Sequence, residues 1–121
     1  MACDHLWKMY DNPEFLDDVI KLVDCDEELR ASAIGILHER LCGTRNLRAA
    51  KALTSVVLDE TNSITVRYRA YAALWSVCEP RQHNGEVYSL MIEAIERELQ
   101  NRRFGPELLD KIDWDIVRRY A

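Results

Sequence analysis

Residues 66–77 read VRYRAYAALWSV, and this stretch decides the fold. Val66, Ala70, Ala73, Leu74 and Val77 fall on one face at helical spacing. Tyr68, Tyr71 and Trp75 lie beside that face, so the helix has little polar surface and is expected to be packed on more than one side. Ala70 and Ala73 in the inward stripe let a neighbouring helix come close. The same pattern occurs earlier as LRASAIGIL at 29–37: Arg30 matches Arg67, Ala33 matches Ala70, Ile36 matches Ala73 and Leu37 matches Leu74, each at an offset of 37 residues. A repeat of this kind points to stacked helix pairs, an architecture used for binding more often than for reaction.

Working outward, Asn12-Pro13-Glu14 is a helix start, with a capping residue, a proline suited to the first helical position and acids in the first turn. Phe15, Leu16, Val19, Ile20 and Val23 give that helix its apolar stripe, over about 13–23. Asp24-Cys25-Asp26-Glu27 is a turn, with Asp24 or Asp26 as cap of a second helix that runs to Leu41 and ends at Gly43. Gly35 within it costs about 1 kcal/mol relative to alanine unless close packing compensates. LRAAKALTSVVL forms the third helix, capped by Asn46 or Thr44. Leu16, Val19 and Ile20 map at the same offset onto Leu53, Val56 and Val57, so both members of the pair repeat. Val87, Leu90, Met91, Ala94, Ile95 and Leu99 define a fifth helix, matched to the third at an offset of 38. PELLDKIDWDIVRRYA after Phe104-Gly105-Pro106 is helical in pattern but lacks the repeat signature, as terminal repeats often do. No segment alternates with period two.

The 121 residues suit one domain with a real core. Apolar runs are short and broken by charge, so no membrane span is expected, and the start MACDHLWKMYDNPEF lacks the apolar segment of a secretory signal. Cys3, Cys25, Cys42 and Cys78 are scattered and form no CxxC, which fits reduced thiols in a cytoplasmic protein. The net charge of −5 is uneven: residues 1–28 carry nine acids and two lysines, leaving the rest slightly basic. Such an acidic end disfavours broad phosphate binding and favours a basic protein partner; the alternative is a solvated face.

Helix pairs of about 37 residues, an acidic turn and a second helix of the form V/L-R-x-x-A-x-x-A/I-L resemble HEAT repeats of the HEAT-like bacterial kind. The resemblance covers residues 13–78 well and a third unit loosely. It implies an all-α fold, a short right-handed α-solenoid of about three helix pairs with the second helices lining the concave side. It also implies that Arg67 pairs with Asp24 or Asp26 of the neighbouring turn. On that concave side the positions beside the core stripe are Arg30, Ile34 and His38, then Arg67, Tyr71 and Trp75, with Tyr68 adjacent. Arginine, tyrosine and tryptophan are the composition of interface hot spots, so these seven form the expected partner-binding set. The competing reading makes Tyr71 and Trp75 core.

The expected function is therefore a non-catalytic protein–protein interaction module needing no cofactor, with an immunity or antitoxin protein acting on a basic toxin domain as a special case by analogy. A second reading is a nucleic-acid-associated module using Arg30, Arg67, Arg69, Arg102, Arg103, Arg118 and Arg119. A third is a metal-binding or enzymatic protein around His38 and Cys42, at i and i+4, with Cys3 and His5 as remote further ligands. Acid pairs such as Asp17/Asp18, Asp59/Glu60 and Asp113/Asp115 accompany no nucleophile, and Gly43-Thr44-Arg45 is too short for a phosphate loop.

Overall fold

A computed structural model of the chain describes residues 13–25, 28–79, 85–102 and 105–121, with side chains from Asp17 onward except those of 24–25. Every regular element among them is helical: α1 (Pro13–Cys25), α2 (Arg30–Arg40), α3 (Leu47–Leu58), α4 (Ile64–Cys78), α5 (Gly85–Leu99), a 3-10 helix (Pro106–Lys111) and α6 (Trp114–Tyr120). Local chemistry sets the starts. The Asn46 side chain accepts from the Ala49 N–H at 3.1 Å, that of Ser63 from Val66 at 3.2 Å and that of Asp113 from Asp115 at 3.0 Å. Each satisfies an N–H that the first turn of a helix leaves open. Thr44, the other candidate cap of α3, instead donates its hydroxyl to the Leu41 carbonyl at 2.7 Å. At α2 the cap position falls on Leu29, which makes no side-chain cap hydrogen bond, rather than on Asp24 or Asp26, because the helix starts only at Arg30. The side chains of Phe15 and Leu16 of the first stripe lie outside the described ones.

The helix signature at 66–77 marks the centre of the molecule. Eleven of the fifteen residues of α4 are buried. It packs against α3, α2, α5 and the 3-10 helix. A helix surrounded in this way needs apolar or small residues on every side, which is why its stripe is flanked by aromatics rather than by charge. Helices α1 and α2 pack together, as do α3 and α4, while α1 also lies on α3 and α2 on α4. Val19, Ile20 and Val23 of α1, Ala33 and Leu37 of α2, and Leu53, Val56 and Val57 of α3 are all buried. Val19, Ile20, Ala33 and Leu37 are thus buried like their matches Val56, Val57, Ala70 and Leu74, whereas Ile36 and Arg30 are only partly buried where Ala73 and Arg67 are buried. Each fully buried Leu or Val side chain contributes about 1.5–3 kcal/mol relative to exposure.

The C-terminal part is arranged otherwise. The offset of 38 predicts that α5 repeats α3, but α5 packs on α4, and α6 takes a place on α3. Val87 and Ala94 supply the buried stripe of α5, Ile116 and Val117 that of α6. Periodicity fixes which face of α5 is buried but not which neighbour receives it. The last sixteen residues also divide in two: Ile112 and Asp113 interrupt them, and Asp113 caps α6. No helix among the described residues is long and apolar enough to cross a membrane.

Candidate functional site: the cleft between α2, α4 and α5

Two of the seven expected binding residues hold the stack together from inside. Arg67 is buried, and its Nε donates to the Val57 carbonyl at 2.8 Å. Arg30 Nε donates to the Val23 carbonyl at 2.7 Å, and its Nη1 reaches Asn62 Oδ1. Each arginine therefore neutralises the carbonyl end of the first helix in its own pair, where the helix dipole favours a cation. Asn62 in turn donates to the Val56 carbonyl at 3.3 Å. Asp59 stands beside them; hydrogen bonds from the Thr61 hydroxyl and N–H, and then the fields of Arg30 and Arg67, hold its carboxyl below the ordinary value. The Asp24 and Asp26 side chains expected to meet Arg67 lie outside the described residues.

The aromatic members form a packed cluster. Tyr68 and Tyr71 are buried and meet edge to face with ring centroids 5.4 Å apart; Tyr71 meets Trp75 in the same way at 6.4 Å. The Tyr71 hydroxyl accepts from the Asp113 N–H at 2.9 Å, tying α4 to the start of α6. Tyr68 and Tyr71 thus have no open area for a partner, and of the three only Trp75 keeps partial exposure. Burial drives the Tyr68 hydroxyl well above the ordinary tyrosine value. Its oxygen and the Trp75 indole nitrogen are buried without a hydrogen-bond partner among the described residues, a cost of roughly 1–3 kcal/mol each.

The remaining two, Ile34 and His38, are buried on α2 and line a cleft of about 190 Å³. Gly35 and Glu39 complete the α2 wall, α4 contributes Arg69, and α5 closes the far side with Tyr88, Met91 and Ile95. His38 Nε2 and the Tyr88 hydroxyl share a hydrogen bond, and their rings meet edge to face. Ser76 Oγ donates to the His38 carbonyl at 2.8 Å, fixing this part of α2 to α4. The surface expected to be an open concave face is therefore partly covered by α5.

Arg69 differs from Arg67 two residues away. No hydrogen bond or ion pair joins its guanidinium to any other described residue. Burial in the cleft wall lowers its pKa from the ordinary arginine value, against the opposing pull of the Glu98 carboxylate. Arginine remains protonated through such a shift, so the cleft holds a partly desolvated cation. Its Nη2 would lie 3.8 Å from a Cβ built on Gly35, so the guanidinium lies against bare α2 backbone. Sequence reasoning named Arg69 only as one of many surface arginines and missed Gly35 and Tyr88 as site residues. The available signal was an arginine inside a helix that is otherwise apolar on almost every side.

Other expected chemistry is dispersed. Arg118 and Arg119 ride on α6 against α3, whereas Arg69 sits between α2 and α5; Arg103 is outside the described residues. Cys42 is exposed, and among the described residues no three potential metal ligands come together; Cys3 and His5 are outside them. Between α1 and α3 a shallower basic hollow carries Lys21, Lys51 and Arg48, the last paired with Asp17. Compared with protein-family models, curated proteins and solved structures, the chain matches none, so its functional reading rests on the arrangement of its own residues.

Proposed function

We propose that this chain is a non-catalytic protein-binding module built on HEAT-like helix pairs, and that its partner docks on the outer edge of α5. The observation that carries this reading is a second apolar stripe on that helix. Besides the buried Val87 and Ala94, α5 bears Tyr88, Ile92, Ile95 and Leu99 at i, i+4, i+7 and i+11. Tyr88 and Ile95 face the cleft, while Ile92 and Leu99 are 49% and 81% exposed. A helix with one buried face needs no second apolar stripe for its own stability, and exposed stripes of this spacing are typical helix-docking surfaces. Glu96 beside it is exposed, as is Glu93, which is paired with Arg97 at 2.9 Å, so a partner with an apolar patch and a lysine or arginine set against Glu96 is complementary. A basic toxin domain is one such partner, which keeps the immunity-type reading as a special case.

The repeat part of the proposal is supported by the burial of Val19, Ile20, Ala33 and Leu37 and of their matches 37 residues on, Val56, Val57, Ala70 and Leu74, and by Arg30 and Arg67 each reaching a carbonyl near the end of the preceding helix. The test is a pull-down from nuclease-treated native lysate at two salt concentrations, with wild type and an Ile92→Glu/Leu99→Glu variant. One stoichiometric basic protein held by wild type and lost by the variant is the expected result. Equal capture by both would remove α5 as the docking edge. Nucleic acid released by modest salt would favour the arginine-based reading instead.

A further inference from the structure

We propose that the cleft between α2, α4 and α5 binds a small organic acid, a single carboxylate on a flat apolar body, anchored by Arg69. The inference concerns the interior of the cleft; it shares Tyr88 and Ile95 with the apolar stripe of α5, but an acid anchored by Arg69 needs no protein partner. Its chemistry follows from how the polar groups are arranged. The walls supplied by Ile34, Met91 and Ile95 are apolar and suit a hydrocarbon body. His38 and Tyr88 at the cleft satisfy each other. Arg69 is left as a cation with no hydrogen-bond acceptor among the described residues, partly removed from water. A cation in that state gains most from an anion that brings its own acceptors, and the planar guanidinium fork matches a carboxylate in two-point contact.

Size agrees with this choice. An apolar cavity of ~150 Å³ admits benzene, so a cleft of about 190 Å³ has room for a ring and a short acid arm. Gly35 contributes by absence: without a Cβ there, the ligand's acid arm and the guanidinium share the space over the α2 backbone. The acids near the site, Glu39 in the wall and Glu98 acting on Arg69, are both exposed, so solvent screens their repulsion of an incoming anion.

The experiment is a titration of the full chain with phenylacetate and, separately, with the neutral isostere phenylacetamide, followed by the arginine Nε–Hε and Gly35 amide resonances in ¹H–¹⁵N NMR. Phenylacetate is expected to shift both resonances in a saturable way, and phenylacetamide to bind at least about tenfold more weakly, the factor carried by a lost charge-assisted hydrogen bond. Arg69→Met is expected to abolish the preference for the acid while leaving the fold intact. No saturable shift with phenylacetate, or equal binding of acid and amide to the wild type, overturns the proposal. That wild-type comparison stands whether or not the variant folds.

Discussion

Arg67 and Arg69 lie on the same helix, two residues apart, in regions with opposite organisation. At the turn end of the molecule, Arg67 donates to the Val57 carbonyl, and Arg30 to the Val23 carbonyl and to Asn62, which itself donates to the Val56 carbonyl; Asp59 stands alongside in the field of both arginines. In the cleft, Arg69 is only partly buried and has no hydrogen-bond acceptor among the described residues. In the first region a cation, buried at Arg67 and partly buried at Arg30, sits beside the carbonyl end of a helix and is used up by it. The second leaves a binding capacity unfilled. The helix dictates this divergence, since positions two apart point nearly 200° apart around its axis.

The contrast is most exposed to a pair of stability measurements. Arg67→Met leaves the Val57 carbonyl without its buried donor and is expected to cost about 2–3 kcal/mol in urea unfolding. Arg69→Met, losing no hydrogen bond, should stay within about 0.5 kcal/mol of wild type. Equal losses would show that the two regions do the same structural work. A smaller effect of opposite sign is expected at Gly35. It is helical, has no left-handed φ to accommodate, and a Cβ there meets Arg69 at ordinary contact distance. Gly35→Ala should therefore stabilise the fold by up to about 1 kcal/mol while weakening phenylacetate binding, so that stability and binding move in opposite directions.

The smallest effect belongs to Asp59, which is exposed. Its folded pKa lies below the ordinary 3.8, so its contribution is present above that value and lost as pH falls through the lower folded pKa. Asp59→Asn should flatten the acid limb of the stability profile, followed by circular dichroism in urea, by lowering stability slightly at neutral pH while leaving the most acid end unchanged. An unaltered acid limb would remove Asp59 from the turn network.

How far the sequence could be read depended on whether neighbours were local. Asn46 and the 66–77 stripe act within a few residues: α3 begins directly after its expected cap Asn46, while α4 starts at Ile64, two residues before the stripe, with Ser63 as a cap that the stripe alone does not reveal. Arg30 and Arg67, 37 residues apart, each reach a carbonyl near the end of the preceding helix, although those carbonyls, of Val23 and Val57, are 34 apart. The position of α5 was not legible. Its buried stripe does not say whether α3 or α4 receives it, and its contacts are distant in sequence: Tyr88 meets His38 of α2, fifty residues away. The same ambiguity hid the cleft, which exists only because α5 crosses to the α4 side. Tyr68 and Tyr71 were read as hot spots because composition alone does not separate an interface from an interior.

The loop after α2 ties two distant parts of the chain into one opening event. The Gly43 N–H donates to the Ser76 carbonyl and that of Arg45 to the Val77 carbonyl, each at 2.9 Å, with both residues in left-handed backbone conformation. Those two amides can exchange with solvent only when the loop lifts from the end of α4. Their deuterium uptake therefore times the fraying of the central helix from outside it, and loop and helix end should lose protection together as a single foldon.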